Sequence, residues 1–217
     1  MTARSIPAPR APLQALARTI ASLAAVALIA GCAFSRPAPV KQVFLLEAAV
    51  PPPAAKTQPG TLRVGTVGVA APFRGRAFVW RESELKFEAD FYTEFLVAPS
   101  PMIGEATARA LDGARVFARV IPPGAPPDGD WILDGFVGSL YGDRRDAARP
   151  AAELAITWYL SRADAPTPTP FWSKEYRRRM PATAGTADAQ AAALSAALGE
   201  IVAELARDLA AVSLPAR

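Results

Sequence analysis

The chain has 217 residues, a length suited to one domain behind a short leader, with 24 basic and 20 acidic side chains, one cysteine and no histidine. A lone cysteine excludes an internal disulfide, and the missing histidine argues against a zinc centre or a histidine-assisted nucleophile. The formal charge of +4 does not mark a nucleic-acid binder: three arginines fall in an N-terminal leader, and without them 21 basic groups face 20 acidic ones.

Arg4, Arg10 and Arg18, with no acidic residue among them, precede an uncharged run over 20–30 and then Gly31. These are the charged and apolar regions of a signal peptide, and the run is shorter than the ~20 apolar residues of a membrane-spanning helix. Its end, Ile29, Ala30, Gly31 and Cys32, resembles the bacterial lipobox. The resemblance implies a leader over 1–31, cleavage between Gly31 and Cys32, diacylglycerol on the Cys32 sulfur and an N-acyl group such as palmitate. Two or more acyl chains are needed for stable anchoring. Ala33 stands where an aspartate would favour inner-membrane retention, so the expected location is the periplasmic face of the outer membrane.

Residues 32–41, rich in proline and small side chains, read as a lipidated tether, and 42–217 as one domain. "VFLLEA" predicts a first strand over 43–48, and "VPPPAAKTQPG" a proline-rich loop. From Thr61 the row Leu62, Val64, Thr66 and Gly68 alternates with Arg63, Gly65, Val67 and Val69, as in a strand. "RAFVWR" and "LKFEADFY" follow as two strands around a polar turn over 82–84. Ser100 as cap, Pro101 at the first helical position, then Ile103, Ala106, Thr107, Ala110 and Leu111 predict a helix ended by Gly113.

"VFARVI" over 116–121, then 131–143 and 151–163, predict three more strands, the last apolar on both faces and therefore central. "FWSKEYRRRM" adds another. The alanine-rich segment 187–212, with Ala191, Leu194, Leu198, Ile201, Leu205, Leu209 and Val212 on one side, predicts an amphipathic helix. The resulting fold class is α+β: a single domain whose mixed or antiparallel sheet carries two main helices.

Chemistry-bearing clusters are weak. The pairs Glu88 with Asp90 and Glu200 with Glu204 each share a face, and both read as solvated carboxylates. "GTVGVAAP" lacks the pattern of a phosphate loop, and Arg177, Arg178 and Arg179 read as a solvated rim. More informative is the density of Phe73, Phe78, Trp80, Phe87, Phe91, Tyr92 and Phe95, too many for two short strands to bury. Part of this set is expected to line a groove or an interface.

The span "RAFVWRESELKFEADFYTEFLVAPSPMIGEATARAL" followed by "VFARV" resembles the ABC-type transport auxiliary lipoprotein family, which includes PqiC-like proteins. That resemblance implies a non-enzymatic lipoprotein without cofactor, accompanying an MCE-domain protein, a permease and an ATPase in lipid transport. It would dock that assembly at the outer membrane. Phe78, Trp80, Phe91, Tyr92 and Phe95 are the expected partner or lipid contacts; a carrier shielding phospholipid in an apolar cleft is the alternative, and a hydrolase a third. Replacing Cys32→Ala is expected to move the protein from the membrane to the soluble fraction and abolish uptake of labelled palmitate. Label retained by the variant would refute the anchor.

Overall fold

The computed structural model describes residues 40–126, 129–164 and 169–215. The leader, Gly31, Cys32 and the tether up to residue 39 lie outside the described residues. The elements in chain order are β1 (Gln42–Phe44), β2 (Gln58–Val69), a 3-10 turn (Ala71–Phe73), β3 (Ala77–Arg81), β4 (Phe87–Phe95), α1 (Pro99–Gly113), β5 (Phe117–Ile121), β6 (Trp131–Asp143), β7 (Ala151–Arg162), β8 (Trp172–Pro181) and α2 (Ala187–Ala211). They form the expected α+β unit, one open eight-stranded mixed sheet with two helices.

The sheet forks at β6. One edge of β6 pairs antiparallel with β7 from Trp131↔Arg162 to Asp143↔Ala151, and β7 pairs antiparallel with β8. The other edge is shared: β2 runs parallel along Trp131 to Val137, then β3 takes Gly142 and Asp143. β5 extends the first branch from β2, while β4 and then β1 extend the second from β3. A single 13-residue strand thus carries two branches on one side.

Burial explains which residues form these strands. In β7, Leu154, Ile156, Trp158 and Leu160 are fully buried; on the opposite face Ala155 and Ser161 are buried, but Thr157 and Tyr159 only half. The strand is central, as its composition requires. Trp158 lies flat over Gly135, where an added Cβ would run into its ring.

The helices differ in how they are closed. α1 packs on β2 and β5, and α2 on β7 and β8, with the helices touching. Thr186 caps α2 by accepting a hydrogen bond from the Ala189 amide at 3.4 Å, and Asp188 stands in its first turn, where a carboxylate favours the helix dipole. At its far end the buried Gln58 amide of β2 donates to the carbonyls of Leu209, Ala210 and Val212 at 2.9 to 3.1 Å. Orphan carbonyls of the last turn are thereby satisfied from a strand.

Three sequence expectations change. Ser100 does not cap α1: the cap residue is Ala98, without a side-chain bond, because the helix starts at Pro99. Gly113 does not stop it by conformational freedom either; Arg115 adopts the left-handed conformation (φ 52°) beyond the last turn. Gly113 is small because Val50 packs where its Cβ would be. The segment after β1 is also non-strand beyond Phe44: it runs along α2, with Glu47 N–H donating to Ser195 Oγ at 3.3 Å.

α2 is bound to edge strand β8 by charge. Lys174 Nζ contacts Glu204 at 2.8 Å and Asp208 at 2.7 Å, Tyr176 Oη donates to Asp208 at 2.6 Å, and Arg178 bridges Glu200 and Glu204. Below these pairs sit Leu198, Ile201, Val202 and Leu205, all fully buried. Ile201→Ala, which preserves helix propensity, is expected to destabilise the fold by about 2–5 kcal/mol in urea unfolding. A loss under about 1 kcal/mol would mean that α2 is not part of the core.

Candidate functional site

Alternation in β3 sends Phe78 and Trp80 inward, while Arg76 and Arg81 flank them. Across the hairpin, Val79 pairs with Ala89 but Ala77 with Glu94, so two residue steps on β3 face five on β4. The three extra residues form a bulge. Asp90 fixes its shape: Oδ1 accepts the amides of Tyr92 (2.9 Å) and Thr93 (3.1 Å), and Oδ2 accepts the Trp80 indole N–H (3.1 Å). Burial opposes charge on this carboxyl, yet the bonds from Tyr92, Trp80 and Thr93 leave its pKa below the ordinary value.

The bulge has a specific output. Phe91 is 80% and Tyr92 46% exposed, whereas Phe78 (1%), Trp80 (3%) and Phe95 (2%) are buried. The Phe91 and Tyr92 rings meet edge to face at 5.1 Å, forming an aromatic knuckle on the surface. Phe95 returns to the core 4.4 Å from Phe78, which also meets Phe44 at 5.4 Å. Of the five expected contact residues, therefore, Phe91 and Tyr92 form a surface; Phe78, Trp80 and Phe95 are core, because alternation and the bulge turn them inward.

Packing holds Trp80 in place from both sides. Its ring occupies the space over Gly142, where a Cβ would collide with it, and the Arg144 guanidinium lies 3.2 Å from the ring centroid. Arg144 is itself held by the Gly185 carbonyl at 2.8 Å. Nearby, Phe87 packs against Phe73 and Tyr141, with Arg81 5.4 Å above its ring. Leu85, 91% exposed at the hairpin turn, extends the apolar surface.

Sequence reasoning treated Asp90 as a solvated partner of Glu88. Instead Glu88 faces Lys86 at 3.3 Å, and Asp90 binds the bulge. The available signal was an aspartate two and three residues before amides that its side chain can reach. Leu85, Leu96 and Val97 were also missed as surface residues.

Several other charged groups join elements of the fold. Arg177 pairs with Glu153 and Glu175, Arg178 with Glu200 and Glu204, and Arg179 with Asp143, so the expected solvated rim is an ion-paired one. Hydrogen bonds from Arg145, against the cost of burial, hold the Asp143 carboxyl far below its usual range. Lys174 and Arg178 lower Glu204. Burial, then the bond to Asp208, raises the Tyr176 hydroxyl. The displaced carboxylates are thus stabilised in their charged form, the reverse of a poised general acid. Among the described residues no group of three His, Cys, Asp or Glu could hold a metal ion.

An apolar groove of about 400 Å³ runs between Pro51, Pro52, Pro53 and the α2 residues Ala203, Ala206 and Ala210, with Lys56 and Arg207 among its lining. None of the lining residues is aromatic.

No family model and no curated protein matches the sequence. Solved structures do match the fold. Protein XCC0632 from Xanthomonas campestris, described under family-model DUF330, aligns with TM-score 0.65 and 19% identity over 76% of this chain and 92% of its own. A second, described only as an uncharacterized protein, aligns with TM-score 0.61 and 13% identity over 78% and 99%. These likenesses establish the fold. They correct the resemblance to the ABC-type transport auxiliary lipoprotein family: the matching proteins are a DUF330 member and an uncharacterized one, and nothing specific to PqiC-like proteins is found. The residues that carried it, Phe78 to Arg81 and Phe87 to Phe95, form an aromatic hairpin packed in part on the core.

Asp90→Ala is expected to cost about 1–3 kcal/mol by leaving the buried Trp80 indole unpaired. Since the folded-state pKa of Asp90 is depressed, this contribution is complete above the unfolded carboxylate value of about 3.9 and is lost as pH falls through the folded value. Denaturant titrations at neutral and acidic pH should therefore show the gap between wild type and variant closing on acidification. A gap independent of pH would mean the carboxylate charge does not hold the knuckle.

Proposed function

We propose that this chain is a non-enzymatic, periplasm-facing lipoprotein that docks an envelope lipid-transport assembly at the outer membrane, with an MCE-domain protein as the partner to be tested. The single observation that supports it is the knuckle: Asp90 and Trp80 hold Phe91 and Tyr92 out of an otherwise filled core. Displaying two large aromatics in water is unfavourable unless something covers them, and rigid aromatics are favoured anchors at protein interfaces. The lipobox ending at Cys32 supplies the membrane attachment that such a docking role requires.

A carrier reading has one observation in its favour, the groove between Pro51–Pro53 and α2, whose volume lies within the range of small-molecule sites. The aromatics predicted to line a carrier cleft instead fill the core or project from it. Docking is therefore the better-supported reading.

In-cell photo-crosslinking from positions 91 and 85, followed by mass spectrometry, tests the proposal. Capture of an MCE-domain protein is the expected result, together with at least a tenfold loss of that adduct when Tyr92→Asp is combined with the probe at 85, a fold-change on the order of one hot-spot contact. Capture of lipid alone would overturn docking in favour of the carrier.

A further inference from the structure

We propose that the edge of the sheet formed by β1 and the end of β4 rests on the membrane, with Val43, Leu45, Leu96 and Val97 seated in the phospholipid headgroup layer beside the knuckle. This rests on the anchoring of Cys32 and deepens the docking reading by fixing which way the knuckle faces.

Three observations converge. All four side chains are exposed and large. They lie on adjoining backbone: Val43 is in register with Glu94, Phe44 with Phe95, and the Leu96 amide donates to the Phe44 carbonyl at 2.7 Å. Finally, β1 is the first strand after Cys32 among the described residues. Nine residue steps separate Cys32 from Lys41, which limits the reach of the tether to ~30 Å even when fully extended. Whatever conformation the tether takes, β1 is the described strand nearest in sequence to the anchor, and its exposed side chains are Gln42 and the apolar Val43.

Charge fits the same occupant. Glu94 is engaged by both Lys41 (2.8 Å) and Arg76 (2.5 Å), so two cations share this carboxylate beside Val43. Hydrogen bonding to Lys41, with the charge of Arg76 adding to it, keeps Glu94 ionised below its ordinary range. Lys41 and Arg76 complement anionic phospholipid headgroups, giving the combination of apolar and basic side chains by which interfacial helices seat on a membrane. A partner bound to Phe91 and Tyr92, three and two residues before Glu94, would then meet this chain at the membrane surface.

The test uses the full lipidated protein reconstituted in vesicles of phosphatidylethanolamine and phosphatidylglycerol, with an environment-sensitive fluorophore on Leu45→Cys, Leu96→Cys or, as control on β8, Ser173→Cys. Spin-labelled lipid is expected to quench the labels at 45 and 96 several-fold more than the label at 173. Val43→Asp is expected to reduce that quenching in the 96-labelled protein while leaving the lipid on Cys32 intact by mass. Equal quenching at all three positions in a protein whose mass shows lipidated Cys32 would overturn the membrane contact and leave the anchor standing. Protein whose Cys32 carries no lipid would overturn the anchor, and with it this proposal.

Discussion

The pairing of β6 with β7 is the constraint on which the rest of the molecule depends. Twelve register pairs link them, and a strand committed so completely on one edge has only its other edge to offer. β2 occupies the first half of that edge and β3 the last two residues, with the 3-10 turn in the interval. The aromatic hairpin is thus held at the C-terminal end of β6, while α1 packs on β2 and β5 and α2 on β7 and β8.

This geometry makes the two branches unequal. The β2 branch is closed by α1, by the 45–57 segment lying along α2, and by Gln58 holding the end of α2. The β3 branch has only the three residues of β1 to cover the end of β4, paired from Thr93 to Phe95. The first half of β4 has no outer neighbour among the described strands, and an edge left open at a bulge is where side chains can be aimed outward. Asp90 uses that freedom. A carboxylate serving three N–H donors converts a break in the ladder into a fixed turn, and Trp80, wedged between Gly142 and Arg144, supplies the rigid support.

The charged residues divide along the same line. On the helix-covered side, Lys174, Tyr176 and Arg178 stitch β8 to Glu200, Glu204 and Asp208 of α2, protecting an edge strand that would otherwise present unpaired backbone. At the other end, Asp143 gathers Arg145 and Arg179 at the end of β6. Asp143 and Glu204 are matched to cations that stabilise their ionised form, an arrangement suited to holding elements together and unsuited to moving protons.

Sequence alone determined the local elements, because hydrophobic periodicity is a property of neighbouring residues. The limits of β6 over Trp131–Asp143, the start of α2 at Ala187 and the central character of β7 could all be read from alternation and helical spacing. What only the tertiary structure decided was which aromatics are covered. Phe78, Trp80, Phe91, Tyr92 and Phe95 are equally apolar in composition, but the difference between core and surface among them comes from three extra residues in β4 relative to β3. A bulge is set by cross-strand register, by a carboxylate reaching an indole ten positions earlier, and by a glycine 62 positions from that indole making room for its ring. Those are distances between chain segments, and one-dimensional spacing does not encode them.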